Sequence, residues 1–182
     1  WQKISSSLSE EEKKDINIKI KQSDWYNHHS KRLYIANSFD FKIETIGTYT
    51  NNEIVEKSCD VLIEKFSKLN ADVLDVEQFG KILQKYSKST ISNAYDLTLF
   101  NEDYTVGKVI EYILHDVYFL EKKTLSYVGF RKHHPHDSYS IIRTAFNEKI
   151  QLGEEYQTIA PILSDACQKA IEVYQHLKSD LV

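Results

Sequence analysis

The densest run of chemistry-bearing side chains is His133-His134-Pro135-His136, three imidazoles within four residues, followed by Asp137. Imidazole nitrogen ligates metals, and zinc needs three or four donors converging at about 2.0–2.3 Å. Adjacent residues of an extended chain point to opposite faces, so His133 and His134 do not easily share an ion. Only His134 and His136 can converge, and no cysteine pair stands ready to complete the shell. Arg131 and Lys132 precede the histidines, and Tyr127, Phe130 and Tyr139 flank them. Nucleic-acid recognition asks for a broader basic surface carrying exposed stacking rings. Only two of these residues are permanently charged, and acids outnumber bases overall, 27 against 23, for a net charge of -4. The expectation is a solvated connection between strands. A second aromatic and histidine patch, Trp25, Tyr26, His28 and His29, reads as a loop whose rings dock on a neighbouring surface. Cys59 and Cys167 fall within helical patterns and read as small buried hydrophobes, which fits a reduced, intracellular protein. No catalytic residue, cofactor or metal ligand is assigned.

The elements around the histidines carry a clearer signal. Over residues 102–117, Val106, Val109, Ile110, Ile113, Leu114 and Val117 recur at steps of three and four, which predicts an amphipathic helix. Asp103 is its expected N-cap. Residues 125–130 and 139–146 are rich in strand-favouring types, and residues 92–100 read as a further strand. A long helix is expected from Glu154 to about Ser179, with a seam of Tyr156, Ile159, Leu163, Ala166, Ala170, Val173 and Leu177. It would run roughly 40 Å at 1.5 Å per residue, with Pro161 near its second turn. Such a helix outruns a small sheet, so its exposed half calls for another apolar partner.

Upstream, residues 32–46 alternate, with Phe39, Phe41, Ile43 and Thr45 on one side and Asp40, Lys42 and Glu44 on the other. That pattern predicts a half-buried antiparallel strand. Gly47 breaks it, and Asn51 or Asn52 is the expected cap of a helix over residues 53–69. The helix stripe is Ile54, Val55, Val61, Leu62, Phe66 and Leu69. Residues 70–90 form a partly helical linker, with Val76, Phe79, Ile82, Leu83 and Tyr86 at helical spacing. Nearer the start, Ser9 to Glu12 suits a short helix N-terminus, and Ile18 and Ile20 alternate as in a short strand.

At 182 residues and 41% hydrophobic composition, one or two small domains are expected. No apolar run is long enough to cross a membrane. The chain starts at Trp1 and contains no methionine, so an internal or C-terminal fragment is expected.

Two sets of motifs then point to one family. The run from Asp103 through Thr105, Gly107 and Ile110, with Gly129 and Pro135 after it, resembles the smaller alpha-like subunit of multisubunit RNA polymerases. In that archaeal L-type family Asp-His-Thr-Leu-Gly-Asn opens the helix, and a Gly-Tyr and a His-Pro turn mark the next strands. Tyr104 stands here for the usual His and Lys108 for the usual Asn. Residues 39–47, followed by Glu53-Ile54-Val55, resemble the end of the larger, archaeal D-type subunit. Ordinarily these are separate chains that heterodimerise. Both signatures in one chain, larger partner first, resemble the fused alpha-like subunit of large cytoplasmic DNA viruses of the African swine fever virus type.

The resemblance implies an α+β fold of two alpha-like dimerisation modules, each with helices on an antiparallel sheet, closing as an intramolecular pseudo-heterodimer. Residues 1–70 would be the larger module's C-terminal part, 71–90 the linker and 91–182 the smaller module. It implies a non-catalytic assembly platform whose partners are the two large catalytic polymerase subunits and small zinc-binding subunits. DNA and RNA would be met only through the complex, and no membrane is involved. Host cytoplasm and virion follow from the viral reading, the nucleus otherwise. The packing residues implied are Phe39, Phe41, Ile43, Ile54, Leu62, Phe66, Thr105, Gly107, Ile110, Gly129, Pro135, Leu163, Ala166, Ala170 and Val173. The reading from another class is a stand-alone α/β module that dimerises or binds nucleic acid, and co-purification separates the two.

Overall fold

The computed structural model describes residues 6, 9, 16–36, 38–85 and 90–180. The fold is α+β: among the described residues there are five α-helices and one four-stranded antiparallel sheet. The chain divides into two units, Trp1–Glu44 and Thr45–Val182. The division lies well before the boundary expected at residue 70.

In the first unit, helix α1 (Ile16–Asp24) runs on through a wide π-type turn (Trp25–His29) and a tight turn (Ser30–Arg32). The expected strand at Ile18 and Ile20 is therefore a helix. A lone strand leaves its backbone groups without partners, whereas a helix satisfies them internally. Trp25 and Tyr26 meet edge to face at 5.2 Å within this helical run, so the expected loop is also helical. Glu10 to Glu12, where a helix start was expected, lie outside the described residues. Residues 38–46 form no strand. Phe39 and Phe41 are 78% and 84% exposed and Ile43 37%, so the half-burial expected of them is not found. The alternation there is right for a strand, but no described strand lies alongside to pair with it.

The second unit begins with a turn. The Thr45 hydroxyl donates to the Tyr49 carbonyl at 2.6 Å and accepts from Gly47 N–H at 3.1 Å, with Gly47 in the left-handed region at φ +97°. Helix α2 (Asn51–Leu74) follows. Its cap is Thr50, not Asn51 or Asn52: Glu53 N–H donates to Thr50 Oγ1, and Thr50 N–H donates to Glu53 Oε2. This reciprocal box satisfies two otherwise orphaned donors, and only Thr50 has Glu three residues later. The stripe buries Cys59, Phe66 and Val73, with Leu62 and Leu69 packed at its margin. Val61 is left exposed.

The expected linker is largely structured. Asp75 caps helix α3 (Val76–Ile82), accepting from the N–H groups of Glu77 and Gln78. The chain then enters edge strand β1 (Leu83–Lys85). Phe79 and Ile82 are buried while Val76 is exposed, and Tyr86 lies outside the described residues.

Strand β2 (Ala94–Phe100) leads to helix α4 (Tyr104–Ile113), capped by Asp103 as its position suggests. The helix widens into a π-type segment (Leu114–Glu121), closed by Lys122 N–H donating to the Val117 carbonyl. Strands β3 (Leu125–Arg131) and β4 (Tyr139–Phe146) and helix α5 (Glu155–Ser179) complete the unit. The sheet order is β1-β2-β4-β3. Opposed residues share a face, so Leu97 with Ile142 and Leu99 with Ser140 line the helix side. Tyr95, Leu97, Leu99, Ile142 and Phe146 join Val106, Ile110, Leu114, Ile159 and Leu163 in a single core with Phe66.

Two glycines separate by their surroundings. A Cβ on Gly107 would fall inside the ring of Phe130, so α4 can lie this close to β3 only without a side chain there. A Cβ on Gly129 would meet the ring of Tyr127, two residues along the same strand and partly exposed. Helix-on-sheet closeness therefore belongs to Gly107 alone. Gly107→Val is expected to cost about 1–3 kcal/mol by overpacking. Gly129→Val should stay within about 0.5 kcal/mol, because an exposed ring can swing away. Urea melts of both variants check this; equal losses would show that Tyr127 is fixed.

Candidate functional site

The most extensive structured contact lies between α2 and α5, which come from opposite ends of the second unit's sequence and run antiparallel. Lys178 bonds Asp60 at 2.7 Å, Phe66 stacks on Tyr174 with ring centres 5.8 Å apart, and Ser164 donates to Asn70 Oδ1 at 2.7 Å. At the far end the Tyr156 hydroxyl donates to the Leu74 carbonyl at 2.7 Å, and Phe79 meets Tyr156 edge to face. Small residues on α5, Ala160, Ser164, Ala166, Cys167 and Ala170, are buried, and of these Ser164 meets α2 through Asn70. A helix longer than its sheet thus meets a second helix along its remaining face.

The residues singled out by sequence fall into three groups. Phe66, Gly107, Ile110, Leu163, Ala166 and Ala170 are buried, and Leu62 and Ile54 are half-buried. Thr105 and Pro135 are exposed, at the mouth of α4 and in the β3–β4 connection. Phe39, Phe41, Ile43 and Val173 do not pack as expected. Val173 is 59% exposed because the seam takes the four-residue step from Ala170 to Tyr174, leaving the three-residue position outside.

Sequence reasoning missed two polar constellations. Arg143 of β4 grips Asp96 of β2 through both carboxylate oxygens, at 2.6 and 2.8 Å, on the sheet face away from the helices. The two residues are directly opposed in register. Each is the only charged residue of its strand, and that isolation was the available signal. Fork-to-fork pairs of this kind add geometric specificity as well as energy. The second constellation joins the π-type segment to α5: the Tyr118 hydroxyl donates to Asp165 at 2.8 Å, and Lys169 bonds the other oxygen. Burial first, then the Asp165 bond and charge, push the Tyr118 phenol well above its ordinary range. Burial works against ionised Asp165, but the bonds from Lys169 and Tyr118 outweigh it and hold the carboxyl below its usual value.

Burial pushes the Cys167 thiol up to about 12, so it stays protonated and unreactive near neutrality. Cys59 is likewise raised by burial. His134 and His136 do approach, with ring centres 5.1 Å apart, but His136 N–H donates to His134 Nδ1 and Asp137 bonds His134 N–H. These contacts build a turn. Among the described residues no three His, Cys, Asp or Glu side chains group as metal ligands, and no helix is long and apolar enough to cross a membrane.

The second unit is an antiparallel sheet with helices on one face and the Asp96–Arg143 pair on the other. Set against known proteins, the chain matches no protein-family model and no curated protein.

Proposed function

We propose that this chain is a non-catalytic assembly-platform subunit of a DNA-directed RNA polymerase, in which parts of two alpha-like modules are fused. The observation supporting the reading is the α2–α5 seam. The helix that follows the larger-module signature packs along the helix that ends the smaller-module sequence. Ordinarily these signatures lie on separate chains that must find one another. Fusion replaces that encounter with an intramolecular one, at millimolar-range effective concentration for a short connection. Within the segment joining them Val76–Ile82 is helix and Leu83–Lys85 strand, which suits a fixed geometry.

On this reading the scaffold would hold the two large catalytic subunits, with small zinc-binding subunits beside them, and would meet DNA and RNA only through the complex. Host cytoplasm and virion are the proposed locations. The test is co-expression of the chain with the large polymerase subunits of the same source, followed by gel filtration. A stoichiometric complex is expected, with no RNA synthesis by the chain alone. A chain that elutes free of both large subunits, under conditions where they assemble with their other partners, would refute the proposal.

A further inference from the structure

The sheet face turned away from the helices carries a hollow of about 210 Å3. Strand register explains where it lies. Gly129 stands directly opposite Arg143 and Arg131 opposite Ile141, so Tyr127, Gly129 and Arg131 of β3 share this face with Arg143 of β4. Glycine leaves an empty place between Tyr127 and Arg131. The Tyr127 side chain bends over it, with its hydroxyl close to where a Gly129 side chain would begin. His133, just past the end of β3, adds its ring to the lining.

The charges around the hollow are of one sign. Arg131, His133 and Arg143 line it, and no carboxylate does. Arg143 is committed to Asp96 through both carboxylate oxygens, so it serves as a wall and its charge is already compensated. Among the described residues no carboxylate pairs with Arg131 or His133. We propose that this hollow binds a single phosphate group, held by the Arg131 guanidinium, the Tyr127 hydroxyl and the His133 ring. A guanidinium offers phosphate two parallel N–H donors, and the hydroxyl and the imidazole each offer one more. Donors on three separate residues suit a tetrahedral group, with oxygens on several sides, better than a flat carboxylate. The hollow is smaller than the roughly 300–1,000 Å3 of pockets that enclose a whole small molecule. It therefore takes one group, either the free ion or the terminal phosphate of a larger ligand. This inference does not rest on the polymerase reading.

Amide NMR of the full chain, titrated with inorganic phosphate at constant ionic strength, tests it. Saturable shifts confined to residues 127–133 and 141–143 are expected, with a Kd on the order of 1 mM for so small a ligand. Arg131→Gln should weaken binding about tenfold or more, and Arg131→Lys should recover only part of the loss. Lys132→Gln removes a neighbouring charge from outside the hollow and should change the affinity by less than about twofold. Gly129→Val fills the floor and displaces the Tyr127 ring, so saturation should vanish while the fold, read from the same spectra, persists. Phenyl phosphate, run in parallel, separates the two sources: tighter binding than inorganic phosphate assigns the site to a terminal phosphate, equal binding to the free ion, and both sustain it. Shifts that do not saturate, or that spread over the whole surface, overturn the proposal. So does an Arg131→Gln or a folded Gly129→Val variant that binds like the parent. Acetate that moves the same amides with equal affinity overturns the choice of phosphate.

Discussion

Leu163→Asp is expected to abolish the cooperative unfolding transition. Leu163 is 2% exposed on α5, in the core that Phe66 of α2 and Leu97 and Ile142 of the sheet share. A carboxylate placed there loses its hydration and gains no cation; Lys169 is already engaged with Asp165. Burying an unpaired charge costs several kcal/mol or forces the group to take up a proton. Since total stability for a domain of this size is about 5–15 kcal/mol, the helix must swing out or the unit must melt. Loss of assembly with the large polymerase subunits should accompany loss of the transition. Lys178→Ala is the control. It removes only a solvent-exposed pair with Asp60 and should leave the transition where it is. If Leu163→Asp keeps a sharp transition at the parent temperature, the α5 seam contributes nothing to the fold.

Phe66→Ala carries the second large effect. Phe66 is fully buried and stacked on Tyr174. Truncating a buried Phe leaves a cavity and costs about 3–5 kcal/mol. The informative part is the shape of the melt. The sheet core and α2 share one cluster, so helix and sheet signals should fall together at a lower denaturant midpoint. Two separated transitions, with the sheet unmoved, would make α2 an independent module and return the boundary to residue 70.

The limits of sequence legibility follow from the same physics. Strand β4 and the Asp103 cap were readable because an unbroken strand-forming run and a hydroxyl-rich acidic helix start have few other uses. Val173 and Val61 were misjudged because periodicity gives a stripe but not its width: a three-residue and a four-residue step fit equally until a partner helix selects one. Ile18 with Ile20 failed because alternation over three residues cannot outweigh a backbone without neighbours. Phe39, Phe41 and Ile43 read as a half-buried strand, but a strand needs a sheet beside it, and sequence period does not say who supplies it. Asp96 and Arg143 each stand out as the lone charge of a strand, but that they meet depends on the register between β2 and β4, which is a tertiary property.

The antiparallel seam also imposes an order in time. Its bonds join residues 118, 94 and 82 positions apart, from Lys178 with Asp60 to Tyr156 with Leu74. At roughly 5–20 residues per second of synthesis, α2 leaves the ribosome about 5–20 s before the whole of α5 exists. Throughout that interval Phe66 lacks the Tyr174 ring it stacks on and Asn70 the bond from Ser164, and loop closure over so many residues is entropically slow. The unit therefore closes last at its own C-terminus, and a nascent chain stalled before α5 presents a greasy helix for chaperones to hold.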